Sequence, residues 1–158
     1  MDLYDVTHRA IWATLDGMPA EALHRANADG WSILHVLEHI ELFERRTTVA
    51  IAEAMAAPPT AEVDPARDLS FALVRTVRLR APEPIRPQGR FAGLADAQEA
   101  LRASGEAVSR TFAAAAVAGD VDRHGSRHGA FGMLSARQWH DVAALHVIRH
   151  LHQIHEMR

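Results

Sequence analysis

Eleven of the 158 residues are histidine, and five of them, His140, His146, His150, His152 and His155, fall within nineteen consecutive positions. Imidazole titrates near neutrality and is the commonest protein ligand for metal ions, so chemistry is to be sought here first. The other reactive side chains are scarce. Cysteine is absent, which removes thiolate metal sites, disulfides and a cysteine nucleophile. All 17 basic residues are arginine, so Schiff-base and lysine general-base chemistry are removed as well.

Helical spacing sorts the histidines. At about 100° per residue, Ala136, Ala143, Val147, Leu151, Ile154 and Met157 share one broad apolar arc of a final helix. His146 and His150, four apart and about 40° from each other, lie on or beside it. Gln153 is next to them. His152 and His155 point the other way, with Asp141, Arg149 and Glu156, and read as solvated. His140 sits at the far edge of the arc and stays ambiguous. An earlier helix carries its own apolar arc of Ile33, Val36, Leu37, Ile40 and Phe43. His39 is at the edge of that arc. His35 is further out, towards Glu38, although it forms an H-x-x-x-H pair with His39.

A lone inward histidine usually satisfies a buried hydrogen bond. An inward pair one turn apart is different, because two buried imidazoles are costly unless something binds them. Such a pair can reach one metal ion, and His39 across the core supplies a third ligand. Competing constellations are weaker. His124 and His128 share the same spacing but lie in a glycine-rich stretch and read as a solvated loop. Glu21-Ala-Leu-His24 is a lone E-x-x-H in a connection, where a di-iron site needs two such motifs and two more glutamates. No H-E-x-x-H, G-x-S-x-G or Walker A motif is present, and no serine sits in a nucleophile elbow.

The elements that must hold these residues are helical. Period-2 alternation is never sustained. A first helix is expected from Asp2 to Asp16, stopped by Gly17 and Pro19, followed by a connection to Gly30 with at most a short helix. The next helix starts after Trp31 with Ser32 as cap and runs to Ala56, before Pro58 and Pro59. A shorter helix is expected over Ala66 to Arg78, then a proline-rich loop from Ala81. A long helix covers Leu94 to Ala118 with Asp96 as cap, weakened at Gly105. Gly119 to Gly132 reads as loop, and the final helix starts near Ser135. Four main helices and one short extra helix make an all-α helical bundle, a single domain over residues 1–158.

Composition narrows the class of function. Apolar residues make up 48% and charged residues 23%, with a net charge of −3, as in globular proteins. No basic stripe points to nucleic acid. No apolar run approaches the roughly 18 residues of a membrane span, and the first residues, with Asp2 and Asp5, do not read as a secretory signal. A cytoplasmic location is expected.

Two stretches resemble one known family. WSILHVLEHIE, from Trp31, is similar to the second-helix signature of the DinB/YfiT-like superfamily. HGAFGMLSARQWHDVAALHVIRHLHQI, from His128, is similar to its C-terminal signature, a glycine-containing turn leading into a helix with H-x-x-x-H and then Q-I. The resemblance implies an antiparallel four-helix bundle, often a homodimer. It also implies a site for a divalent metal such as zinc or nickel on His39, His146 and His150. Characterised relatives include metal-dependent enzymes using low-molecular-weight thiols, as S-transferases or as an isomerase. The expected function is therefore metal-dependent thiol S-transfer, or a related hydrolase or isomerase activity, on a small molecule. The alternative is a non-catalytic bundle stabilised by its metal, which a fourth protein ligand such as His35 or Gln153 would favour.

Overall fold

The computed structural model describes residues 3–76 and 80–158. Its five α-helices are α1 (Leu3–Leu15), α2 (Ala20–His24), α3 (Ile33–Ala56), α4 (Leu94–Ala118) and α5 (Ala136–Glu156). A two-stranded antiparallel hairpin, β1 (Gly125–His128) and β2 (Gly132–Ser135), leads into α5. No helix among the described residues is long and apolar enough to cross a membrane.

The two helices that carry the inward histidines begin on capping boxes. Ser32 accepts from the His35 amide, and His35 Nδ1 accepts in return from the Ser32 amide at 3.1 Å. Ser135 and Gln138 make the same reciprocal pair at the start of α5. The apolar arcs read from the sequence are buried on both helices, with Met157 partly covered.

Contacts at known positions give the helix directions. Phe43 meets Trp139 while His39 meets His146, so α3 and α5 run antiparallel. Tyr4 meets His140 and the carbonyl of Thr14 accepts from Arg158, so α1 and α5 run parallel. Glu44 meets Ser104 and Met55 meets Gly119, so α3 and α4 also run parallel. The helices therefore do not simply alternate. The long connection between Ala56 and Leu94 must return the chain to the end at which α3 began before α4 starts.

Several expectations need correction. The helix expected over Ala66 to Arg78 is replaced, where the chain is described, by one 3₁₀ turn at Ser70–Leu73; Arg78 lies outside the described residues, as does Asp2. Asp64 and Asp68 explain this. Their carboxylates accept from the amides of Ala66 and Ser70, and such turns compete with helix. The short extra helix is α2 instead. Asp96 does not occupy the cap of α4. Gly93 does, and Asp96 reaches back to the Ala92 amide at 2.9 Å. The glycine-rich stretch expected as loop contains β1 and the turn of the hairpin, whose second strand follows from Gly132.

Candidate metal centre

His39 comes from α3, and His146 and His150 from successive turns of α5. Their ligand-capable nitrogens all lie within 4.8 Å of one another. His146 Nε2 is 3.1 Å from His39 Nε2 and 3.1 Å from His150 Nε2. The three residues singled out from helical spacing are thus brought together.

The protein also fixes which nitrogens face inward. His39 Nδ1 lies 2.6 Å from the carbonyl oxygen of Ile85, which can only accept, so Nδ1 carries the proton and Nε2 the lone pair. His150 Nδ1 donates to Gln153 Oε1 at 2.8 Å, so its Nε2 is also a lone pair. Both lone pairs point at His146 Nε2. His146 Nδ1 is sealed from solvent without a hydrogen-bond partner. Whichever nitrogen of His146 holds its proton, one buried ring nitrogen is left unsatisfied or two lone pairs share one donor.

A cation shared by the three Nε2 atoms removes that conflict. Metal–imidazole bonds of about 2.0–2.1 Å put neighbouring ligand nitrogens roughly 3.0–3.4 Å apart. The residues present therefore fit a metal ion. Outer hydrogen bonds of the kind made by Ile85 and Gln153 are what orient ligating histidines.

Electrostatics keeps the rings neutral, the form that ligates. Burial pushes the His39 imidazole below its ordinary range against the pull of the Ile85 carbonyl. Burial, and then the neighbouring imidazoles, hold His146 well below it, and His150 follows for the same reasons. The Arg149 guanidinium adds to the shift in all three. Phe43 stacks on His146 with ring centroids 4.0 Å apart, and Trp31 lies 5.1 Å from His39.

The Ile85 carbonyl is itself held in place. Glu38, which helical spacing places outward of the apolar arc of α3, is fully buried. Its carboxylate accepts from the amides of Gln88, Gly89 and Arg90 and from Arg90 Nε. Burial opposes its ionisation, but these four donors bring its pKa below the usual carboxylate value. Arg90 also reaches Glu41 at 2.6 Å. Residue 38 thus pins the loop whose residue 85 orients residue 39.

The remaining histidines do other work. His35 caps α3, and Gln153 holds His150. His128 is not a solvated loop residue. Its Nδ1 accepts from the Ala130 and Phe131 amides, its ring packs on Trp139 and Phe131, and burial lowers its pKa to about 4. His124 meets the Ala57 carbonyl at 2.7 Å. His140 is buried and stacks on Phe112 at 4.2 Å. His152 and His155 are exposed, as is the Glu21/His24 pair on α2.

A sequence profile of the DinB superfamily matches residues 3–154. The chain belongs to the DinB superfamily. Proteins of this superfamily bind metal ions, in keeping with the three converging histidines. The chain is also similar to the uncharacterized protein YuaE of Bacillus subtilis (strain 168), with 26% identity over 162 residues, 100% of this chain and 96% of YuaE. No solved structure matches it.

Proposed function

We propose that His39, His146 and His150 hold one divalent metal ion, zinc or nickel, and that this DinB-superfamily protein is a metal-dependent S-transferase, or a related isomerase or hydrolase, using a low-molecular-weight thiol. The observation that carries the reading is the convergence of two locked lone pairs, those of His39 and His150, on the third imidazole. When bound, a divalent ion would supply Lewis acidity and favour deprotonation of a thiol or water. Three neutral nitrogen ligands leave such an ion with its charge uncompensated and a position open, the pattern of catalytic zinc sites. His35 and Gln153, the two side chains the sequence offered as a fourth ligand, are engaged in hydrogen bonds to Ser32 and His150. The chain has no cysteine, so a thiolate must arrive with the substrate.

The chain's own contribution is orientation and dryness. Ile85 and Gln153 hold two imidazoles in their ligating tautomers. Phe43 and Trp31 cover the rings with apolar surface. The same reading makes α1, α3, α4 and α5 a four-helix bundle in one domain, with the crossover between α3 and α4. It further makes the protein a cytoplasmic homodimer acting on a small molecule rather than on nucleic acid or membrane; the absence of a basic stripe supports the small molecule.

A second reading is a purely structural ion tying α3 to α5, favoured by the low exposure of His39 and His150, 5% and 6%. Cobalt substitution separates the two. In the catalytic reading, small thiols added to the cobalt protein produce a sulfur-to-metal charge-transfer band that His39→Ala abolishes. Turnover with a panel of electrophiles then disappears on metal removal. A cobalt spectrum indifferent to every thiol overturns the transferase reading in favour of the structural one. Failure to take up any divalent metal overturns both.

A further inference from the structure

Residues 69–76 lie against α5 beside the histidine centre, and they are fastened there with little burial. None of Ser70 to Thr76 is buried. Phe71 and Val74 are 42% and 38% exposed, and Leu69, where the segment starts, is only partly covered by the core. Two arginines hold the segment in place. Arg149 on α5 donates through Nη1 to the carbonyl of Ala72 at 3.3 Å and to the carbonyl of Val74. Arg75 reaches the other way, to the carbonyl of Arg149 at 3.4 Å and with two nitrogens to the Glu156 carboxylate at 3.1 and 2.6 Å. The two side chains therefore form a clasp between the segment and the helix. A second fastening is Phe71, set edge-on to Phe131 in the hairpin turn with ring centroids 6.2 Å apart.

Both fastenings lie beside the ligand-bearing turn of α5. Arg149 directly precedes His150 and is about 60° from His146 around the helix. Its charge is felt by all three imidazoles. Phe131 leads to the same place from the hairpin, since it packs on His128, His128 on Phe43, and Phe43 on His146. The other covers of the centre are fixed more deeply. Phe43 belongs to the core, and the Ile85 loop is pinned by the fully buried Glu38. A segment held by partly exposed polar bonds opens at lower free energy than one held by burial. The clasp is of that kind, with Arg75 25% and Glu156 63% exposed.

We propose that residues 69–76 are a strap that gates the metal centre: the Arg75–Arg149 clasp and the Phe71–Phe131 contact keep it shut, and its opening sets how fast an ion, or a small ligand of that ion, enters and leaves. The proposal rests on the metal reading above and adds the route of access. An ion held equally well under the shut and the open strap does not shift the balance between them. Weakening the clasp therefore speeds uptake and release by a common factor and leaves their ratio, the dissociation constant, in place.

The test measures zinc exchange in the full chain, with release read by transfer to a chelating dye and uptake by stopped flow. Arg75→Gln should speed both rates about threefold, Phe71→Ala likewise, and the double variant about tenfold, the scale of losing one exposed ion pair and one aromatic contact. The dissociation constant should stay within about twofold of the parent. Neither side chain belongs to the buried core, so both variants are expected to fold. In metal-free protein the amides of Ala72 and Val74, bonded within the strap to the carbonyls of Leu69 and Phe71, should exchange hydrogen faster by similar factors, while the amides of α5 keep their parent rates. Unchanged zinc rates, a release that rises alone so that affinity falls, or amide exchange that rises equally in α5 would each overturn the gate. A parent chain that takes up no zinc or other divalent metal overturns it together with the metal reading; a parent that binds zinc while the variants exchange it no faster overturns the gate alone.

Discussion

At the scale of single residues, the three histidines are unequal to their neighbours because of what lies behind them. His146→Ala or His150→Ala should reduce the bound divalent metal, measured by elemental analysis, to a small fraction of the parent level. His152→Ala should leave it unchanged, because that ring faces solvent. Gln153→Leu keeps all three ligands but removes the acceptor for His150 Nδ1. It is expected to cost about 10–100-fold in metal affinity, the usual penalty for losing an outer-shell partner. The pH dependence follows from the lowered imidazole pKa values. Protons compete with metal only below the ordinary value of about 6.5. Occupancy should therefore be steady near neutrality and fall on further acidification; occupancy unchanged at pH 4 would contradict histidine ligation. The convergence of the three histidines was legible from sequence, since two positions four apart on an apolar arc need only the helical repeat. Their supports were not. The Ile85 carbonyl is 46 positions from His39, and a backbone oxygen has no side-chain signature.

At the scale of elements, the Glu38 carboxylate is the main anchor of residues 88–90, just before α4, with Glu41 adding a bond to Arg90. Glu38→Gln would leave the three amides and the guanidinium of Arg90 with a weaker acceptor. A destabilisation of about 2–3 kcal/mol is expected in denaturant unfolding, below the 3–5 typical of fully buried pairs because Arg90 remains 42% exposed. Metal affinity should fall with it, as the loop carries Ile85. The hairpin makes a separate prediction. His128 has a folded pKa of about 4 against roughly 6.5 unfolded, so the unfolded chain binds the extra proton between those values. Stability should thus be lost as pH falls from about 6.5 to 4. His128→Asn, which keeps an acceptor for the turn amides, should flatten that slope in thermal melts. The helices α3 and α5 were legible from caps and apolar spacing, and α4 from its spacing without its cap. The hairpin was not, because four-residue strands such as GSRH and GMLS show no alternation to read. The stretch after Pro65 misled for a different reason. Its composition suits a helix, but two aspartates bond locally to the backbone first.

At the scale of the whole molecule, the histidine centre joins α3 to α5 across the apolar core, beside the Phe43–Trp139 contact. A ligand that binds only the folded state stabilises it in proportion to the logarithm of its excess over the dissociation constant, by about 2.7 kcal/mol at a hundredfold excess. Adding zinc to metal-free protein should accordingly raise the melting temperature, and the rise should vanish in His146→Ala. An unchanged melting temperature in saturating metal would mean that the ion, if bound, does not discriminate folded from unfolded chain. The direction of the helices escaped the sequence. Lengths and caps are local, whereas the parallel course of α3 and α4 depends on where the 37-residue connection, residues 57–93, lands.

His39 and His146 are 107 positions apart, and that distance carries a consequence in time. A growing chain presents His39 early, yet the lone pair it offers has no companions until α5 has been made and has docked. If the centre takes up its ion as proposed, capture is among the last events of maturation rather than a seed for it, and the earlier helices must find one another without its help. Contacts of such long range form slowly because the loop must close before the contact is rewarded. An ion arriving afterwards acts as a latch. It should leave the rate of folding nearly untouched and slow the rate of unfolding, a partition that stopped-flow measurements with and without zinc would read directly.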